Sequence, residues 1–141
     1  MKAAVFPGSF DPITSGHEAI VRRALSLFDK VYIAVGVNTE KRYMFSVEER
    51  IDKIQALFAD TERVEAISYS DMTVDLCHRL GAQFILRGIR DAKDLEYEQT
   101  IAAVNQSLAP DIETVILLSD AAHRDISSTI EREKLAHSSN Q

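Results

Sequence analysis

Ala3-Ala4-Val5-Phe6-Pro7-Gly8-Ser9-Phe10-Asp11-Pro12-Ile13-Thr14-Ser15-Gly16-His17 passes from a short apolar run, through a turn-rich connection, into a helix predicted over about Glu18 to Phe28. Ala3 to Phe6 is apolar without alternation, which suits a strand covered on both faces. Similar runs recur at Val31 to Val37, Val64 to Ile67, Phe84 to Leu86 and Thr114 to Leu118, each followed by a segment of helical spacing. Val47, Ile51, Ile54, Leu57 and Phe58 fall on one helical face, as do Tyr97, Ile101, Val104 and Leu108. Ser46 three residues before Glu49 forms a reciprocal cap, Gly81 supplies a left-handed stop after Leu80, and Pro110 follows the later helix. The expectation is an α/β chain with a five-stranded parallel sheet, helices on both faces and right-handed crossovers.

The 141 residues, 45% of them hydrophobic, suffice for one core, since a chain of this size buries roughly 68% of its unfolded surface. One domain over residues 1–141 is expected, with a polar, frayed tail at 137–141. Asp and Glu number 22 against 16 Lys and Arg, a net charge of -6 that argues against a non-specific nucleic-acid binder. Apolar runs such as Val115 to Leu118 fall far short of the ~20 residues that span a bilayer, and Met1-Lys2-Ala3 opens no signal-peptide core. A soluble, cytoplasmic protein with no membrane or nucleic-acid partner is expected. Cys77 is the only cysteine, which excludes an internal disulfide and a cysteine-based zinc site.

In an open parallel sheet, ligands bind beyond the carboxyl ends of the strands, here after Phe6, Val37, Ile67, Leu86 and Leu118. The first connection matches neither G-x-G-x-x-G nor G-x-x-x-x-G-K-S/T. It could still receive an anion on backbone N–H groups near Gly16, with His17 as a further donor. Alternatively, Asp11 and Thr14 satisfy turns and His17 merely opens a helix. Arg87-Gly88-Ile89-Arg90, with Lys41 and Arg42 after the second strand, would gather positive charge for a phosphorylated ligand, unless these cations decorate a solvated face. Asp94, Glu96 and Glu98 suit the start of a helix near Ala92 better than a metal cage, so no metal ligands are assigned to the chain itself. Asp125-Ile126-Ser127-Ser128-Thr129 reads as a helix cap or a second anion cradle. Cys77 and His78 read as packing residues of a helical stretch from Val74 to Leu80, and no serine lies in G-x-S-x-G.

Taken together, these residues resemble the bacterial phosphopantetheine adenylyltransferases, within the nucleotidyltransferase superfamily that carries a T/H-x-G-H signature. The resemblance rests on Thr14-Ser15-Gly16-His17, Pro7 to Thr14, Arg87 to Arg90, Asp94-Leu95-Glu96-Tyr97-Glu98 with Asn105, and Ile126 to Thr129, and covers about residues 2 to 135. It implies a Rossmann-like fold and the reaction of ATP with 4'-phosphopantetheine to give dephospho-coenzyme A and pyrophosphate, with Mg²⁺ carried by ATP. By position, it implies that Ser9, Lys41, Thr73 and Arg87 contact phosphopantetheine. Ser9, Phe10, His17, Gly88, Ile89, Arg90, Glu98, His123, Arg124, Asp125, Ile126, Ser127, Ser128 and Thr129 would contact ATP, and His17, Lys41 and Arg90 would serve catalysis. The attack is expected to be direct and in line, without a nucleophilic side chain. The resemblance further implies a homohexamer and feedback inhibition by coenzyme A. The chain departs from the family's usual residues at His123, at Asp125 and at Thr129, where a third serine is common. The competing functions are an adenylyl- or cytidylyltransferase for another phosphorylated acceptor, and a nucleotide- or coenzyme-A-binding module without turnover.

Overall fold

Five strands and four helices alternate along residues 1–119, which are the residues that the computed structural model describes. In chain order they are β1 (Ala3–Gly8), α1 (Ser15–Ala24), β2 (Lys30–Gly36), α2 (Val47–Leu57), β3 (Val64–Tyr69), α3 (Thr73–Leu80), β4 (Phe84–Ile89), α4 (Ala92–Leu108) and β5 (Glu113–Leu118). All strand pairs are parallel, in the order β3-β2-β1-β4-β5, which is the expected Rossmann-like arrangement. The chain builds outward from β1 to β3, then jumps back to lay β4 on the other side of β1. The junction of β1 and β4 is therefore the topological switch point.

That junction is open. β1 pairs with β2 along its whole length, from Ala3 opposite Lys30 to Gly8 opposite Val35, but with β4 only at Ala4 and Val5. Proline in a central strand removes a ladder donor, and Pro7 is accommodated because of this divergence. Its carbonyl faces Arg87 of β4, so its missing N–H falls on the same side, beyond the end of the β1–β4 ladder. Three strands run further than the apolar runs alone suggest, β1 to Gly8, β3 to Tyr69 and β4 to Ile89.

The two faces of the sheet carry separate cores. Phe6, Val31, Ile33 and Leu86 pack beneath Ile20, Val21 and Ala24 of α1 and Ile54 of α2. Val5, Ala34 and Ile85 pack on the other face against Val74, Leu76 and Cys77 of α3. Each fully buried Val, Ile or Leu contributes about 1.5–3 kcal/mol. Burial and then the charge of Asp111 push the Cys77 thiol up to about 11, so it packs as an apolar group and is unreactive.

Two helices depart from expectation. α1 begins at Ser15 and ends at Ala24, rather than running from Glu18 to Phe28. Thr14 caps it, and its last turn tightens as Ser26 and Leu27 donate to Arg23 and Ala24. Arg63, distant in sequence, then takes the carbonyls of Leu25, Phe28 and Asp29. α4 does not bury the apolar stripe read from its spacing. Tyr97, Val104 and Leu108 are exposed, and its only buried residue is Glu98. Ser46 and Glu49 do form the reciprocal cap of α2, and Gly81 ends α3 at φ 70°. Among the described residues, no helix is long and apolar enough to cross a membrane.

Candidate active site at the parting of β1 and β4

His17 occupies the third position of α1, where its ring takes part in the helix cap. The Thr14 hydroxyl accepts from the His17 N–H at 3.3 Å, while the Thr14 N–H donates back to His17 Nδ1 at 3.0 Å. This is a capping box with histidine in place of the usual Glu or Gln. Because Nδ1 accepts, the proton of the neutral ring resides on Nε2. The ring stands edge-on to Phe10 at 5.0 Å and to Phe6 at 6.2 Å between centroids, which fixes its plane. Burial, and then the positive charge of Arg87, hold its pKa below the usual histidine value. A neutral, oriented Nε2–H donor results.

Arg87 fills the gap between the diverging strands. Its Nη1 donates to the Pro7 carbonyl at 2.7 Å, and Nε and Nη2 grip the two oxygens of Glu98 at 2.8 and 2.7 Å. The Glu98 side chain is only 6% exposed against 26% for Arg87, so the carboxylate is anchored below and the guanidinium borders the opening. Of the five N–H donors of a guanidinium, these bonds use three. Alongside lies a cavity of about 370 Å³, bordered by Pro7 and Gly8 of β1, Lys41, Thr73 at the start of α3, Arg87, and the face of α4 that carries Tyr97, Ile101 and Asn105. A neighbouring hollow of about 260 Å³ shares Gly8, Lys41 and Tyr69 with it and adds Ser9. Lys41 and Arg87 thus provide two cations at one opening, suited to a phosphate.

Residues 5–134 match the pattern of the cytidylyltransferase-like family. A phosphopantetheine adenylyltransferase of Flavobacterium psychrophilum is 51% identical over 94% of this chain and 87% of its own length. One from Flavobacterium johnsoniae is 51% identical over 97% and 90%, and one from Phocaeicola vulgatus 47% identical over 96% and 89%. The chain belongs to the phosphopantetheine adenylyltransferase family. Among solved structures, a bifunctional NMN adenylyltransferase/ADP ribose pyrophosphatase from Francisella tularensis aligns with a TM-score of 0.66 at 19% identity, over 94% of this chain and 41% of that one. A lipopolysaccharide core biosynthesis protein from Thermoplasma volcanium GSS1 aligns at 0.59 and 20% identity, over 85% and 97%. These two likenesses concern the fold alone.

Of the positions that the phosphopantetheine adenylyltransferase resemblance singles out, Lys41, Thr73 and Arg87 border one cavity, and Ser9 borders the next. The Thr73 hydroxyl is steadied by the Tyr69 hydroxyl at 3.2 Å. Phe10 and Ile89 are buried, so their side chains belong to the core. Phe10 has φ 47°, a strained value for a bulky residue, and turns the main chain at the end of the Ser9 loop. Gly88 lets α1 approach β4, because a Cβ there would stand 3.2 Å from Ile20. Arg90, just past the end of β4, borders neither of these two cavities, and its backbone N–H and guanidinium meet Asp94 at 2.9 and 3.2 Å. Burial works to raise the Asp94 pKa, but these two bonds and the charge of Arg90 outweigh it and hold the carboxyl below its usual range. Glu98, expected at the nucleotide, borders the same cavity as Arg87 and has both oxygens engaged by it. His123, Arg124, Asp125, Ile126, Ser127, Ser128 and Thr129 lie outside the described residues.

Two residues at the site escape sequence reasoning. Arg50 of α2 is 1% exposed, and Asp11 bonds to a distant loop rather than to its own turn. A signal for Arg50 was present: it lies three residues from Val47 and four from Ile54, a cation within the apolar stripe of α2.

Proposed function

We propose that this chain transfers the adenylyl group of ATP to 4'-phosphopantetheine, releasing pyrophosphate and forming dephospho-coenzyme A. The observation that carries the reading is the convergence of Lys41, Thr73 and Arg87 on one cavity beside β1, in a chain that shares about half its residues with named phosphopantetheine adenylyltransferases over nearly its whole length. Lys41, Thr73 and Arg87, with Ser9, hold the acceptor phosphate. An oxygen of that phosphate attacks the α-phosphorus of ATP, the bond to the β-phosphate oxygen breaks, and pyrophosphate leaves. No enzyme-bound intermediate is needed. The Nε2–H of His17 donates to the α-phosphate as its charge redistributes, and Arg90 with Gly88 and the 123–129 segment contacts the nucleotide.

A divalent ion, Mg²⁺, would be carried by the nucleotide rather than by the chain. When bound to ATP, Mg²⁺ neutralises phosphate charge and eases departure of pyrophosphate. The whole chain acts as one domain in the cytoplasm. The exposed apolar residues of α4, Tyr97, Val104 and Leu108, support assembly into a homohexamer. Coenzyme A, which contains the pantetheine arm, would compete for the same cavity as a feedback inhibitor.

Incubating the protein with Mg-ATP and single phosphate acceptors tests the reading. Pyrophosphate release is expected to be fastest with 4'-phosphopantetheine. Release no greater than with glycerol phosphate or nicotinamide mononucleotide rejects it.

A further inference from the structure

The connections after β1 and β2 carry Ser9 and Lys41, and each is gripped by a side chain belonging to the other unit. Asp11 reaches from the first connection to the second, where its two oxygens accept the consecutive N–H groups of Met44 at 2.6 Å and Phe45 at 2.8 Å. In the opposite direction, Arg50, which follows the second connection, donates from Nη1 to the Ser9 carbonyl at 2.8 Å. Its guanidinium stacks 4.0 Å from the centre of the Tyr43 ring, in the same connection as Lys41. We infer that Asp11 and Arg50 are positioning residues that clasp these two connections together, so that Ser9 and Lys41 meet a single phosphate.

The clasp acts on the main chain, so it sets where the two connections lie without itself touching the acceptor. Its two-point carboxylate grip fixes orientation as well as distance, because consecutive amides must both aim at one group. Arg50 is not an economical packing residue. Burying a guanidinium is unfavourable, and an apolar side chain of similar volume in such a place is often neutral or stabilising. Among the described residues, no carboxylate stands within ion-pair distance of it. What the cation does provide is a rigid hold on Ser9 and Tyr43 and a positive field beneath the opening that Lys41 borders. Asp11, which read as a turn residue, bonds 33 and 34 positions away.

This inference rests on the proposed role of Lys41 at the acceptor phosphate. Asp11→Ala and Arg50→Met are to be made singly and in the Lys41→Ala background, with kcat, both Michaelis constants and thermal unfolding measured in the full-length protein. The expected result is folded single variants whose KM for 4'-phosphopantetheine rises about tenfold or more, while KM for ATP moves less than about threefold. In the Lys41→Ala background the same changes should cost clearly less than they do alone, because one of the two groups that the clasp brings together is already gone. Amide exchange should show lost protection at Met44 and Phe45 in Asp11→Ala, a readout available even if Arg50→Met does not fold. An acceptor KM within about threefold of wild type in folded Asp11→Ala, or losses that multiply in the double variants, overturns the clasp. Lys41→Ala with a wild-type acceptor KM overturns both the clasp and the Lys41 assignment. A wrong substrate shows earlier, in the unmodified protein, and the cycle is then run on whichever phosphate acceptor is used.

Discussion

His17 has two functions on two nitrogens, and they can be separated by substitution. Nδ1 accepts the Thr14 N–H at 3.0 Å and closes the cap of α1, which leaves Nε2–H as a donor without a partner among the described residues. In His17→Asn, the side-chain amide oxygen can take the place of Nδ1, but nothing reaches the position of Nε2. That variant should retain the cap, while kcat falls by about 10²–10³, or roughly 2.7–4 kcal/mol, the usual cost of one preorganised donor. His17→Ala also loses the return bond from the Thr14 N–H, while the Thr14 hydroxyl still caps the backbone, and should be less stable by a further ~0.5–2 kcal/mol, a decrease in Tm of about 2–4 °C per kcal/mol for a chain of this size. Removal of the ring from Phe10 adds to that loss. Steady-state kinetics and thermal unfolding of both variants give the answer. If folded His17→Asn keeps more than about a tenth of wild-type kcat, Nε2 is not the donor and His17 is only a capping residue.

The depressed pKa of His17 makes stability depend on pH in a predictable direction. Between its folded and unfolded pKa values the unfolded chain binds more protons, so this contribution is complete above about 6.5 and is lost as pH falls through the folded value. Urea unfolding at pH 7.5 and 5 should show a larger decline in the wild type than in His17→Asn, and an equal decline contradicts the assignment. Glu98→Ala strands Arg87 beside the cavity. Breaking a buried pair costs roughly 3–5 kcal/mol, with the lower end expected because Arg87 is 26% exposed, and the acceptor KM should rise as the guanidinium loses its anchor. A loss under about 1 kcal/mol in denaturant unfolding, with unchanged KM, counts against that anchoring. Gly88→Ala drives a methyl to 3.2 Å from Ile20 and should destabilise by about 1–3 kcal/mol, partly relieved by Ile20→Val. No relief in thermal unfolding means that the strain lies elsewhere.

Local patterns made much of this structure legible. Strands buried on both faces read as unbroken apolar runs, and the Ser46–Glu49 cap and the Gly81 stop each involve residues close in sequence. The parts that escaped depend on distant partners. The end of α1 is set by Arg63, the Arg87–Glu98 pair joins a strand to the next helix, and Asp11 and Arg50 act across separate connections. The start of α1 was hidden differently, because histidine is not the residue usually sought at the third position of a capping box. The exposure of α4 also lay beyond reach, since periodicity identifies an apolar stripe without naming what covers it. At the site, the resemblance singled out Lys41, Thr73 and Arg87, which border one opening, but local sequence could not show that Glu98 is engaged by Arg87 there.

The most direct measurement is a competition. The protein is supplied with limiting Mg-ATP and an equimolar mixture of 4'-phosphopantetheine, nicotinamide mononucleotide and glycerol 3-phosphate, and the adenylylated products are resolved by mass spectrometry. The product ratio reports the ratio of kcat/KM values, and hence relative transition-state stabilisation. Dephospho-coenzyme A should dominate, and its dominance should collapse in Arg87→Ala. A product distribution led by a dinucleotide or by adenylylated glycerol phosphate would contradict the assignment of this cavity to 4'-phosphopantetheine.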